Sequence, residues 1–117
     1  MIGKQLAQSA PSASGTDASI LQCKTGQELL VTKILVANST ALAATFRIYH
    51  DVDGTTYSAA TALYFDVSVA ANTTTAIPGP IYLSNPSGNL AVRVGTANAL
   101  TFTVYGIERS LGTVSPS

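Results

Sequence analysis

The sequence predicts an all-β fold, a single-domain antiparallel β-sandwich of jelly-roll or immunoglobulin-like type, with roughly seven to eight strands and a flexible N-terminal arm. Three observations lead there. Short runs of β-branched and aromatic residues recur about every ten residues, separated by Gly, Asn, Pro, Asp and Ser. No amphipathic segment of helical length competes with them. A chain of 117 residues is also long enough for one core, because it should bury about two thirds of its unfolded surface.

Residues 1–16 are mostly Ser, Ala, Gln and Gly, a composition that buries too little to order itself, and they read as an arm. Residues 17–110 form the sandwich domain, and residues 111–117 a short tail. The first strand covers 18–23 and ends at the turn Lys24-Thr25-Gly26. The longest, 28–38, places Leu30, Thr32, Ile34 and Val36 on one face and Val31, Lys33, Leu35 and Ala37 on the other. Both faces are largely apolar, which marks a central strand.

Residues 45–50 follow, with Phe46 and Ile48 inward and Thr45, Arg47 and Tyr49 opposite, before a turn at Asp51-Val52-Asp53-Gly54. Strand 63–69 sets Leu63, Phe65, Val67 and Val69 against Tyr64, Asp66 and Ser68. A short strand, 73–77, is stopped by Pro78-Gly79-Pro80 and resumes over 81–83, because proline cannot donate to a ladder. The turn Asn85-Pro86-Ser87-Gly88 leads into Leu90, Val92 and Val94, with Ala91 and Arg93 opposite. The last strand, 100–107, has Leu100, Phe102 and Val104 on one side and Thr101, Thr103 and Tyr105 on the other. The Cys-Trp-Cys signature of true immunoglobulin domains is absent, as the chain has no Trp and one Cys.

Charged residues make up 10% of the chain and hydrophobic ones 46%, against about 25% charged in a typical soluble domain. The surface must therefore be neutral Ala, Thr, Ser, Asn and Gly, which suits faces covered by partners. Six basic residues balance six acidic ones without clustering, so the electrostatic footprint of a nucleic-acid binder is missing. No run is long enough to span a bilayer, and the start MIGKQLAQSAPSASG lacks a continuous apolar segment. The expected product carries no secretory signal and no membrane span, and is intracellular or assembled inside a cell and released later.

Nothing in the sequence assembles a catalytic centre. His50 is the one histidine and reads as a surface hydrogen-bonding residue; Cys23 reads as a small buried hydrophobe. Asp51-Val52-Asp53-Gly54 resembles the opening of a calcium loop, but Thr55-Thr56-Tyr57 supplies no later acidic ligand, so a plain turn is expected. Asn38-Ser39-Thr40 and Asn72-Thr73-Thr74 match the glycosylation pattern and read as polar turns. No enzyme activity, cofactor, metal or small-molecule substrate is expected. The candidate interface residues are Tyr49, Tyr64 and Tyr105, with Arg47 and Arg93, all opposite the better-defined apolar face of their strands. The alternative for the tyrosines is a second core layer.

Residues 29–108, in particular LLVTKILVANSTALAATFRIYHDVDGTTYS and the closing Gly106-Ile107-Glu108, resemble small virion proteins of tailed bacteriophages. The resemblance implies a capsid decoration, or cement, protein. Such a protein would be a homotrimer, assembled in the host cytoplasm, on the outer capsid surface of the virion, and would clamp neighbouring major capsid protein subunits. A receptor- or carbohydrate-binding sandwich module of a tail or fibre is the competing expectation.

Overall fold

A computed structural model of the chain describes residues 4–51, 57–83 and 88–110. Among them are eight strands and no helix: β1 (Lys4–Ser9), β2 (Ala18–Gln22), β3 (Gln27–Asn38), β4 (Ala44–Asp51), β5 (Ala62–Val69), β6 (Thr74–Leu83), β7 (Asn89–Val94) and β8 (Leu100–Ser110). The tail, residues 1–3, and the turn positions Val52–Gly54 and Asn85–Ser87 lie outside the described residues.

The strands form two four-stranded antiparallel sheets, sheet A in the order β1-β8-β3-β6 and sheet B in the order β2-β7-β4-β5. The pairings are nested, β1 with β8, β2 with β7, β3 with β6 and β4 with β5. The chain behaves as one long hairpin rolled up so that β3 meets β8 and β4 meets β7. This is the double Greek key of a jelly roll, which decides between the two sandwich types left open by the sequence.

Between the sheets lies the core. Phe46 of β4 and Phe102 of β8 meet edge to face, with ring centroids 5.9 Å apart. Around them Val31, Ile34, Val36, Ile48, Leu83, Leu90, Val92 and Leu100 are fully buried. Cys23 belongs to this core, its thiol donating to the Gln27 carbonyl at 2.9 Å, and burial pushes that thiol up.

Strict alternation breaks at two places, and both change which side chains face out. Between Val31 and Lys33, β3 advances two residues while β8 advances one and β6 advances three. Leu29 and Val31 therefore point inward together with Ile34 and Val36, whereas alternation alone set Val31 against Ile34. The step needs close backbone approach on both sides. A Cβ on Gly79 would lie 2.3 Å from the Val31 carbonyl oxygen, and one on Gly106 would lie 2.0 Å from that of Leu30.

In β5 an extra residue is accommodated at Asp66, whose φ is 53°. Tyr64, Val67 and Val69 turn toward the core, and Leu63 and Phe65 turn out, 45% and 48% exposed. The alternation expected here holds only on one side of the bulge.

Two segment expectations also change. Pro78-Gly79-Pro80 does not stop the strand; β6 runs through it as an edge of sheet A, where the missing N–H groups cost no ladder bond and discourage pairing with a foreign strand. Lys4–Ser9, within the stretch expected to be an unpaired arm, is the opposite edge strand. Backbone pairing onto β8 and the packing of Leu6 and Ala7 against the core order a segment whose composition is otherwise that of a loop.

Replacing Gly106 with Ala should destabilise the fold by about 2–4 kcal/mol, because the new methyl meets Leu30 backbone rather than a movable side chain. Urea unfolding of the variant would show the loss as a lower midpoint at unchanged slope.

Candidate functional site

Three surfaces of the sandwich differ sharply in chemistry. The outer face of sheet B carries ion pairs. Arg47 and Arg93 are directly opposite each other on β4 and β7, a like-charge arrangement that is unfavourable unless each is compensated. Arg47 donates to both carboxylate oxygens of Asp66, from Nε at 2.7 Å and Nη2 at 3.1 Å, and its guanidinium lies 3.8 Å above the Phe65 ring. Its Nη1 also reaches the Tyr49 hydroxyl at 3.4 Å. Arg93 stands 3.9 Å from Asp17. The Asp66 hydrogen bonds raise the Arg47 pKa, and Arg47 in turn holds the Asp66 carboxyl below the usual carboxylate range.

Sheet A also carries ion pairs, Lys4–Glu108 and Glu28–Arg109, but its outer face holds an apolar strip between charged residues. Leu30, Tyr82 and Ile107 line a groove of about 200 Å³, closed at one end by the Glu28–Arg109 ion pair. Further along, Thr32, Lys33, Leu35 and Tyr105 line a second one. Tyr82 is 59% exposed. A sheet with one face on a core normally presents polar residues on the other, so this apolar strip departs from expectation.

The third surface is a cleft of about 430 Å³ at the open side of the sandwich, where the edge strands β5 and β6 face each other. His50, Leu63, Tyr64, Pro78, Pro80 and Tyr82 line it. Half-buried His50 is thus part of the cleft wall, and its Nε2 is buried without a hydrogen-bond partner.

The five residues singled out from the sequence do not form one patch. Arg47, Tyr49 and Arg93 belong to sheet B, where Tyr49 is 1% exposed and covered by Tyr57, with ring centroids 5.8 Å apart. Tyr64 packs inward on Phe46 at 6.3 Å, because the bulge at Asp66 reverses its direction. Tyr105 is on sheet A, at the far side of the molecule. Leu30, Tyr82 and Ile107 were missed as a group. Their signal was the apolar second face of the long strand, but the pairing that unites them comes only with strand order. Asn38 ends β3 as the strand assignment expected, but it is buried rather than part of an exposed polar turn. Among the described residues no three His, Cys, Asp or Glu side chains converge as a metal site.

No protein-family model matches the chain, and no curated protein matches it. Its structure is similar to a chain in the "Structure of infectious bursal disease virus Gx strain", with a TM-score of 0.45 and 14% identity. The match covers 95% of this chain and 32% of that one, so this chain spans about a third of that chain's length.

Substituting Arg47 with Met should raise the Asp66 titration midpoint toward the ordinary carboxylate range, as followed by NMR of the side-chain carboxyl. The sign follows from linkage: a carboxyl whose folded pKa is depressed stabilises the fold above its unfolded pKa. That contribution disappears as pH falls through the folded value, so acidification should cost the wild type more stability than the variant.

Proposed function

We propose that this chain is a non-enzymatic structural protein of a virus particle, a capsid decoration protein. It works as a homotrimer on the outer capsid surface and braces neighbouring major capsid protein subunits, after assembly in the host cytoplasm. The observation that carries this reading is the apolar strip on the outer face of sheet A, where exposed Tyr82 and Tyr105 lie beside half-buried Leu30, Leu35 and Ile107. Contiguous apolar patches of that kind mark interaction surfaces.

Two further points support it. The jelly roll is an architecture used by viral capsid domains, although fold alone does not decide function. The neutral composition lets surfaces associate without stripping water from charges. Burial of the sheet A faces around a three-fold axis closes the trimer, and contact with the shell adds binding free energy that exists only in the assembled particle.

A second reading, a carbohydrate- or receptor-binding module of a tail or fibre, is favoured by the cleft between β5 and β6, which provides a concave site with Tyr64 and Tyr82 in its wall. The two readings separate in solution. The decoration reading expects a species of three times the 12.0 kDa chain mass by light scattering, and co-sedimentation with capsid shells assembled without it. A monomer that ignores such shells overturns it and favours the second reading. Within the first reading, Tyr82→Asp should reduce the trimer to a folded monomer, since Tyr82 is exposed on the single chain, with the unfolding midpoint lowered only by the lost association.

A further inference from the structure

Among the described residues Arg93 is the one arginine whose guanidinium makes no hydrogen bond. Arg47 commits its Nε and Nη2 to Asp66 and its Nη1 to Tyr49, and Arg109 is bonded to Glu28. The carboxylate facing Arg93, that of Asp17, stands 3.9 Å away, beyond hydrogen-bond reach. Asp17 Oδ1 is itself buried without a hydrogen-bond partner. The pair balances charge at a distance and leaves the N–H donors of a side chain 35% exposed open to another acceptor.

Those donors border a pocket of about 280 Å³ where the loop between β1 and β2 meets the start of β4 and the end of β7, with Ser14, Thr45, Arg47 and Asp66 in its wall. The backbone amides there are already used, Gly15 donating to the Val94 carbonyl at 2.9 Å and Gly95 to that of Thr45 at 3.0 Å. The side chains are not. Among the described residues neither the Ser14 nor the Thr45 hydroxyl has a hydrogen-bond partner. A Cβ on residue 95 would lie 2.5 Å from the Thr45 Oγ1, so glycine at that position leaves the hydroxyl its place. Each Asp66 oxygen accepts one bond from Arg47 and keeps a lone pair for a second donor.

The wall is fixed by its surroundings. Four loops, residues 10–17, 39–43, 70–73 and 95–99, gather at this end of the sandwich and are clasped to one another. The Asn98 amide donates to the Pro11 carbonyl at 3.0 Å, Ser39 to Ala99 at 3.4 Å, and Asn72 to Thr40 at 3.1 Å. Buried Asn38 secures the second loop, its Nδ2 donating to the Leu42 carbonyl at 2.9 Å. A pocket whose loops are ordered beforehand gives up little further entropy when a ligand enters.

We propose that this pocket binds a sugar acid, with Arg93 receiving the carboxylate and Asp66, Thr45 and Ser14 receiving the ring hydroxyls. A guanidinium fork matches a carboxylate with two parallel bonds. The charge balance selects a monoanion: Arg47 is already paired with Asp66 in the same wall, so a phosphate dianion would meet one open cation and a neighbouring carboxylate. A neutral sugar would leave the guanidinium without its acceptor, and an acidic side chain alone would leave the hydroxyls and Asp66 without a donor. The site shares no residue with the cleft between β5 and β6, and the assignment does not rest on the decoration reading.

The test titrates the isotope-labelled full chain with glucuronate, glucose, acetate and phosphate and follows the backbone amides by NMR. Glucuronate is expected to shift Gly15, Arg93 and Gly95 with a dissociation constant of roughly 1 mM, ordinary for a ligand of that size. Glucose and acetate should each bind about tenfold more weakly or worse. Arg93→Met should lower glucuronate affinity by about tenfold or more at an unchanged unfolding midpoint, and Arg93→Lys, which keeps the charge without the fork, should fall between. The absence of a saturable glucuronate shift, or full binding by Arg93→Met, overturns the assignment. Acetate binding as tightly as glucuronate overturns it in favour of an acidic side chain of a protein partner, and tighter phosphate binding in favour of a phosphate group. Shifts centred on His50 and Tyr82 overturn it by moving the sugar to the other cleft. None of these outcomes alters the trimer or its binding to shells, so the decoration reading stands or falls separately.

Discussion

Sheet A depends on the backbone step at Thr32. There β3 carries one residue more than β8 and one fewer than β6, and the two neighbouring strands tolerate the mismatch because each presents a glycine to it. Gly106 lies against the Leu30 carbonyl and Gly79 against that of Val31. Without the step, the longest strand could not place Leu29 and Val31 in the core at one end and Ile34, Val36 and Asn38 at the other. The same step sets the outer face, turning Leu30 out beside Tyr82 and Ile107 and, past the bulge, Lys33 and Leu35 out beside Tyr105. A local irregularity of the backbone thus distributes both the packing and the exposed apolar area.

The second sheet handles its irregularity with charge. The bulge at Asp66 sends Phe65 outward and puts the Asp66 carboxylate within reach of Arg47, which rests on the Phe65 ring. Two arginines could then be retained on adjacent strands, because each has an acidic neighbour. These exposed pairs contribute little to stability on their own; their effect is to compensate two arginines that face each other across the ladder.

Much of the fold was legible in the sequence. Phe46 with Ile48, and Leu100 with Phe102 and Val104, lie where period-two alternation put them, because those strands keep their phase throughout. The errors have a common cause. A bulge leaves no signature in a run of apolar residues, so Val31 and Tyr64 were assigned to the wrong side and Tyr64 was carried into the candidate interface. Pro78 and Pro80 were read as a break because the edge position that tolerates them is a property of strand order. β1 was hidden for a related reason: a ladder partner supplied by β8 is about a hundred residues away in sequence and is not announced by local composition. The exposed groups of Leu30, Tyr82 and Ile107, and the four clasped loops, join residues that only the nested pairing brings together.

That nesting has a consequence for how the molecule could be extended. β1 and β8 are antiparallel neighbours, with Lys4 opposite Gly106 and Ser9 opposite Phe102. The described chain therefore enters through Lys4 and leaves through Ser110 at the same end, opposite Leu42. A domain or label joined there projects away from the loop cluster and leaves that end free. The point of attachment and the loop cluster thus occupy opposite poles and share no residues.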